Sequence, residues 1–209
     1  MAQLFAVHPD NPQQRLIRQA AAMVREGAVI AYPTDSSYAL GCHLGDKDAL
    51  QRMRQIRGVG EDHYFTLMCR DLSEISHYAR VNNVQFRQIK HNTPGSYTFI
   101  LVATKEVPRR LQHPKRSTVG LRIPDNAVAL ALLEELGEPL LSTTLILPGD
   151  EGPLGDAEEI RTRLDRQVDL VLDGGSVGNE PTTVIDLTGE APEVLRLGRG
   201  DISPFGMEA

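Results

Sequence analysis

Two cysteines in 209 residues, Cys42 and Cys69, are too few and too far apart for a disulfide framework or a thiolate metal cage, so both are expected to be reduced and buried. No apolar run approaches the ~20 residues that a membrane-spanning helix needs. The opening stretch MAQLFAVHPDNPQQR has no basic segment followed by an apolar core and a small-residue cleavage site, which points to the cytoplasm and to no membrane partner. Neither G-x-x-x-x-G-K-[ST] nor a G-x-G-x-x-G opening a helix after a strand occurs, so a nucleotide would have to be held without either standard phosphate loop. The six histidines are scattered, Cys42-His43 is a neighbour pair and not a ligand spacing, and no H-x-x-x-H exists; a structural metal is not expected. GGSVG, residues 174–178, matches the G-x-S-x-G of hydrolases. The segment after it is β-like, however, and no histidine follows His113, so the order serine, acid, histidine is excluded. Ser176 is expected in a glycine turn, and the chain offers no obvious nucleophile.

What is present reads as a soluble α/β protein. A chain of this length buries a full core without staples, and no internal repeat or long linker divides it, so residues 1–209 are expected to form a single domain. Leu16, Ile17, Ala20, Ala21 and Val24 at helical spacing predict a helix over 12–26, between Asn11-Pro12 and Gly27. AVIAY (28–32) predicts a buried strand and PTDSSYALG a polar turn. Further helices are predicted from Asp46 to Gly58, from Asp71 to Tyr78, over 84–90, over 127–136 and at EEIRTRL. Strands are predicted at FTLMC, YTFILVA, VGLRI, LLSTTLIL, VDLVL, TTVIDL and VLRL. This alternation, with β-β pairing near the end, predicts a mixed α/β sheet flanked by helices.

The formal charge of −6 discourages indiscriminate nucleic-acid binding, yet one segment runs against it. KEVPRRLQHPKR holds Lys105, Arg109, Arg110, Lys115 and Arg116 against Glu106, a local charge of +4. It reads either as a solvated loop broken by Pro108 and Pro114 or as a contact for a phosphate backbone. Hydroxyls cluster at strand ends: Thr34, Ser36 and Ser37; Ser117 and Thr118; Ser142 and Thr144; Thr182 and Thr183. Any one cluster is explained by satisfied turn backbone. Four of them, with Arg57, Arg122 and Arg196 at neighbouring element ends, suggest a shared polar cleft at the strand ends of the sheet. Strand alternation in 140–147 puts Ser142, Thr144 and Ile146 on the cleft face, and Thr143 on the packed face with Leu141 and Leu145.

In this arrangement the sequence resembles the YrdC/YciO family, which includes the enzymes that make threonylcarbamoyl-adenylate for tRNA modification. PTDSSYALGC is similar to the family's P-T-[DE]-T-x-Y-G-L-G, NTPGSYTFIL to its P-G-P-x-T strand, and STVGLRIPDNAVALALLEELGEPLLSTT to its V-R-x-P unit. VDLVLDGG, PTTVIDLT and VLRLGRG match the closing segments in order, and the likeness is closest to the YciO branch. The resemblance implies a YrdC-like twisted mixed sheet with a concave cavity for ATP with Mg²⁺, threonine and bicarbonate. By motif, Thr34, Arg122, Ser142 and Thr182 lie near the amino acid, and Arg57, Thr118, Thr144 and Arg196 near the nucleotide. It also implies double-stranded RNA or tRNA as a partner, which would engage Lys105, Arg109, Arg110, Lys115 and Arg116.

Two positions depart from the synthase pattern. The family's K-x-R is here Arg57-Gly58-Val59, and its S-x-N is Thr144-Leu145-Ile146. Hydrogen bonds to charged groups contribute ~1.5–3 kcal/mol each, so the absence of two weakens transition-state binding by roughly two to four decades. The expectation is a protein binding a nucleotide and RNA with weak or no threonylcarbamoyl-AMP synthesis, the alternative being an active synthase.

Overall fold

Residues 1–207 are described, in a computed structural model. In chain order the elements are β1 (Gln3–Ala6), α1 (Gln14–Arg25), β2 (Ile30–Pro33), β3 (Tyr38–His43), α2 (Lys47–Arg57), β4 (Thr66–Met68), α3 (Leu72–Tyr78), β5 (Ala79–Arg80), α4 (Asn83–His91) and β6 (Tyr97–Ala103). They continue with β7 (Thr118–Arg122), α5 (Ala127–Leu136), β8 (Leu140–Thr144), α6 (Ala157–Leu164), β9 (Leu170–Asp173), β10 (Thr183–Asp186) and β11 (Glu193–Arg196). The strands form one mixed sheet in the order β1-β9-β2-β3-β8-β4-β7-β6-β10-β11, with β5 paired to β6.

Side-chain alternation sorts this sheet into two cores. Ala31, Leu141 and Val171 point to one face, where they meet α2, α3, α4 and α6 through residues such as Met53, Ile75, Ile89 and Ile160. Ile30, Tyr32, Leu140, Leu170 and Leu172 point to the other, under Ile17, Ala21 and Val24 of α1 and Val128, Leu132 and Leu136 of α5. The caps are as the sequence suggests. Asp46 accepts from Ala49 N–H and Asp71 from Glu74 N–H, each at 2.8 Å, and Gly58 ends α2 in the left-handed region.

Four expectations need correction. The first helix starts at Gln14, because residues 8–13 form their own turn: His8 Nδ1 accepts from the N–H groups of Asp10 and Asn11, and the Gln13 side chain from that of His8. PTDSSYALG is only partly a turn. Thr34 N–H donates to the Ser37 carbonyl to close the bend, and Tyr38–His43 then forms a central strand between β2 and β8. LLSTTLIL is strand only to Thr144, since Leu145 bonds the Tyr38 carbonyl and Ile146 N–H turns back to the Thr144 carbonyl. The short strands β1 and β5 were not expected; they are too brief to show a period.

Candidate functional site

The face that carries α1 and α5 is covered only at one end of the sheet. Along β8, Leu140 lies under α5, and the next two side chains on that face, Ser142 and Thr144, emerge into a cavity of about 200 Å³. Strand register carries the same surface across the sheet. Ser142 pairs with Thr66, Thr66 with Gly120 and Gly120 with Ile100, while Arg122 pairs with Met68 and Val184 with both Thr98 and Arg196. Gly120 keeps this floor low: a Cβ there would meet Thr98, Ile100 and Thr66 side chains at 3.3–3.4 Å.

Seven of the eight residues assigned by motif line this cavity: Thr34, Arg57, Arg122, Ser142, Thr144, Thr182 and Arg196. The eighth, Thr118, lines an adjoining cavity of about 250 Å³ that shares Tyr64 and Ile100 with the first. It stands on the same face of β7 as Arg122 but four residues back, about 13 Å along the strand. Thr143 is a further correction. It is buried as expected, yet its hydroxyl lies 3.3 Å from His63 Nε2 and also lines the cavity. Ile146 reaches the lining from the turn after β8 and not by strand alternation, which stops at Thr144.

The hydroxyls are unequally committed. Ser142 Oγ donates to the Leu40 carbonyl (3.1 Å) and lies 2.6 Å from the Tyr32 hydroxyl, whose pKa burial pushes far up. Thr34 Oγ1 donates to the Ser37 carbonyl (2.7 Å) and accepts from two backbone N–H groups, so it closes the turn as well as facing the cavity. Thr182 Oγ1 bridges Thr98 Oγ1 (2.9 Å) and Arg196 (3.0 Å).

The three arginines differ in what balances them. Arg122, 5% exposed, is ion-paired at 2.6 Å to Asp35, which also accepts from Ser96 Oγ and Asp125 N–H. Burial alone would raise the Asp35 pKa; Arg122, Ser96 and the backbone N–H groups of Asp35 and Asp125 together outweigh it and hold the carboxyl below its usual range. Arg57 donates to the Ile146 carbonyl, and Arg196 to the Thr182 carbonyl at 2.9 and 3.1 Å; neither has a carboxylate partner among the described residues. Burial lowers the pKa of both, with Arg122 adding repulsion at Arg196. Arg57 Nε and Arg122 Nε are buried without a hydrogen-bond partner, and the described lining contains no carboxylate. The described lining therefore carries an excess of positive charge, from Arg57 and Arg196.

Asp35, Tyr32, His63 and Thr98 were missed from sequence. Asp35 looked like an ordinary turn residue, and its partner is 87 positions away. His63 sits in an aperiodic loop with its ring edge against Phe65 at 5.1 Å. Burial, then Arg57 and Arg54, hold its pKa below the usual imidazole range, against Asp62.

The basic segment does not enter the cavity as a unit. Lys105, Arg109, Arg110, Lys115 and Arg116 are all exposed, but Arg110 also braces the Leu44 and Gly45 carbonyls and Arg116 pairs with Asp186 at 3.4 Å. The loop holding Ser176 runs from β9 to β10 with no helix after it, and its Gly175 carbonyl accepts from the Tyr38 hydroxyl. Among the described residues no helix is long and apolar enough to cross a membrane.

The Sua5/YciO/YrdC family model, described as telomere recombination, matches residues 22–198. The chain belongs to this family. Within it, the chain is 61% identical to YciO of Escherichia coli K12, over 98% of this chain and all of that one. The crystal structure of E. coli YciO superposes with a TM-score of 0.94 over the same shares of the two chains. A threonylcarbamoyl-AMP synthase of Chromobacterium violaceum is 32% identical, over 90% of this chain and 96% of its own. The crystal structure of P. abyssi Sua5 complexed with L-threonine is 27% identical with a TM-score of 0.85, covering 93% of this chain and 57% of that one. The shared YrdC-like fold thus extends over nearly the whole chain.

Proposed function

We propose that this family member is a cytoplasmic protein that binds a nucleotide and a small carboxylate in its cavity and structured RNA on its basic loop, with weak or no threonylcarbamoyl-AMP synthesis. One observation carries the reading: seven of the eight motif-assigned arginines and hydroxyls line the cavity, but Ile146 supplies hydrocarbon to it and Val59 packs against the core where the synthase pattern has polar groups. Sua5 in complex with L-threonine, together with this chain's seven convergent residues, supports an amino acid beside Arg122 and Ser142.

The fit to a nucleotide follows from size and charge. The first cavity alone is smaller than the roughly 300–1,000 Å³ usual for ligand sites, whereas the first and the Thr118 cavity together fall within that range. Arg57 and Arg196 suit phosphate oxygens, and Thr144 stands on the same face. No carboxylate lines the first cavity, and the one that lines the Thr118 cavity, Asp186, is already bonded to Arg116 and Thr188, so Mg²⁺ would be held mainly on the nucleotide's own phosphates. When bound, it would neutralise phosphate charge. The chain's own part is to position the reactants and stabilise developing charge through fixed guanidiniums.

The deciding experiment is incubation with ATP, threonine, bicarbonate and Mg²⁺, following pyrophosphate and adenylate. The parent protein is expected to run at least about two decades below a K-x-R/S-x-N homologue. Val59→Arg with Ile146→Asn, checked for an unchanged melting temperature, is expected to recover adenylate formation. Parent turnover equal to the homologue's would instead establish the active synthase.

A further inference from the structure

We propose that the cleft between residues 58–65 and the loop 105–116 is a second anion site, which takes the phosphate ester of a nucleotide and shares the His63–Tyr64 wall with the first cavity. The inference builds on the reading above only in taking the basic loop as an anion-binding segment. The cleft encloses about 250 Å³, and its charged lining is Arg54, Arg109 and Arg110 with Glu61 and Asp62. His63 and Tyr64 line both this cleft and the first cavity.

The arginines are available in a way the rest of the molecule makes informative. In a chain of net charge −6, none of these three is ion-paired among the described residues, although two carboxylates border the same cleft. Arg54 reaches only the Glu61 carbonyl, at 3.5 Å, and its Nε is buried with no partner. Its guanidinium carbon lies over the Phe65 ring, 5.7 Å from the centroid. Arg110 uses one nitrogen on the Leu44 and Gly45 carbonyls and keeps the rest of its fork. Arg109 is exposed on the 3₁₀ turn Arg109–Leu111. Three forked donors around one concavity match the tetrahedral oxygens of a phosphate.

A flat surface for the rest of the ligand lies at the lip. Tyr64, 47% exposed, stacks on His113 with ring centroids 4.9 Å apart and planes inclined by 26°. Bases stack on such faces without regard to sequence. This is why the ligand is inferred to be a nucleotide unit, free or within an RNA strand, and not a bare phosphate. His63 is the physical link between the two sites, because Arg57 approaches it from the first cavity and Arg54 from the second.

The test is equilibrium binding of AMP and, separately, of a short RNA duplex to the full chain. Arg109→Glu changes an exposed side chain that has no partner among the described residues, and Arg54→Gln is a second, charge-removing variant. Arg57→Gln with Arg196→Gln disables the first cavity. Two classes of AMP site are expected; Arg109→Glu weakens one class about tenfold or more and leaves the other, and the double variant does the reverse. If RNA and not AMP responds to Arg109→Glu, the phosphate recognised is that of a strand, and the site stands. The proposal is overturned if Arg109→Glu and Arg54→Gln leave both probes unaffected, or if they weaken both AMP classes together, as one ligand spanning the wall would require. Absence of the first class alone in the parent protein sinks the cavity reading and not this one.

Discussion

At the scale of single residues, the Asp35–Arg122 pair decides whether one end of the cavity exists. Their side chains are 10% and 6% exposed, so each charge depends on the other. Asp35→Ala leaves Arg122 buried and uncompensated, and is expected to cost about 3–5 kcal/mol of stability, measured by urea unfolding. The pH dependence has a definite sign. Asp35 is held below its ordinary carboxylate value, so its contribution is present above about pH 3.9 and is lost as pH falls through the folded pKa. Unfolding midpoints of the parent should therefore fall more steeply below about pH 4 than those of Asp35→Asn; parallel curves would remove this carboxyl from the account. Arg122 was legible in the sequence because its strand and motif mark it. The role of Asp35 was not, although the residue fills the acidic position of P-T-[DE]-T-x-Y, because its ion pair exists only after β7 has come alongside the bend before β3.

At the scale of elements, the segment between α2 and β4 governs how the cavity responds to protons. His63 faces Arg54 and Arg57 from α2, Asp62 from its own loop, Phe65 and the Thr143 hydroxyl of β8. With its pKa lowered, the imidazole is neutral in the fold at pH 7. The unfolded chain protonates first, so this contribution to stability is full above about pH 6.5 and declines as pH falls toward the folded value. Anion binding acts in the other direction, because a phosphate beside His63 raises its pKa and takes up a proton. The ratio of the parent's AMP affinity to that of His63→Gln is expected to rise as pH is lowered from about 7.5 to 6, because titration of the AMP phosphate itself, at about pH 6, cancels in the ratio; a ratio independent of pH excludes proton coupling at His63. The elements themselves were largely readable, since α5 and β6 have the expected bounds and Asp46 and Asp71 the expected caps. β3 was not, because Gly41 interrupts its short apolar pattern and the polar bend of Ser36 and Ser37 runs straight into it, and only pairing with β2 and β8 makes it a strand.

At the scale of the molecule, a protein of net charge −6 concentrates six arginines on two adjoining concavities and a basic loop beside them. Binding of structured RNA is expected to be strongly salt-dependent. Replacing Arg109, Arg110, Lys115 and Arg116 by alanine should flatten log K against log salt by roughly 0.7–0.9 for each phosphate that is no longer neutralised. The four should not contribute equally, because Arg110 already bonds two carbonyls and Arg116 already pairs with Asp186. Filter-binding titrations of the single variants check this ranking; equal effects would argue for a diffuse field and against discrete phosphate sites.

The amino-acid order by itself determined the alternation of helices and strands, the caps that bound them, the resemblance to one family and which arginines and hydroxyls to look for at a cleft. These follow from local periodicity and short motifs. Tertiary structure decided what those residues face. Sheet register put Ser142, Thr66, Gly120 and Ile100 in one row, and incomplete cover by α1 and α5 left that row open as a cavity. Pairing across 87 positions neutralised Arg122 while Arg57 and Arg196 kept their charge uncompensated among the described residues. Strand order and helix cover are long-range properties, and no window of the sequence contains them.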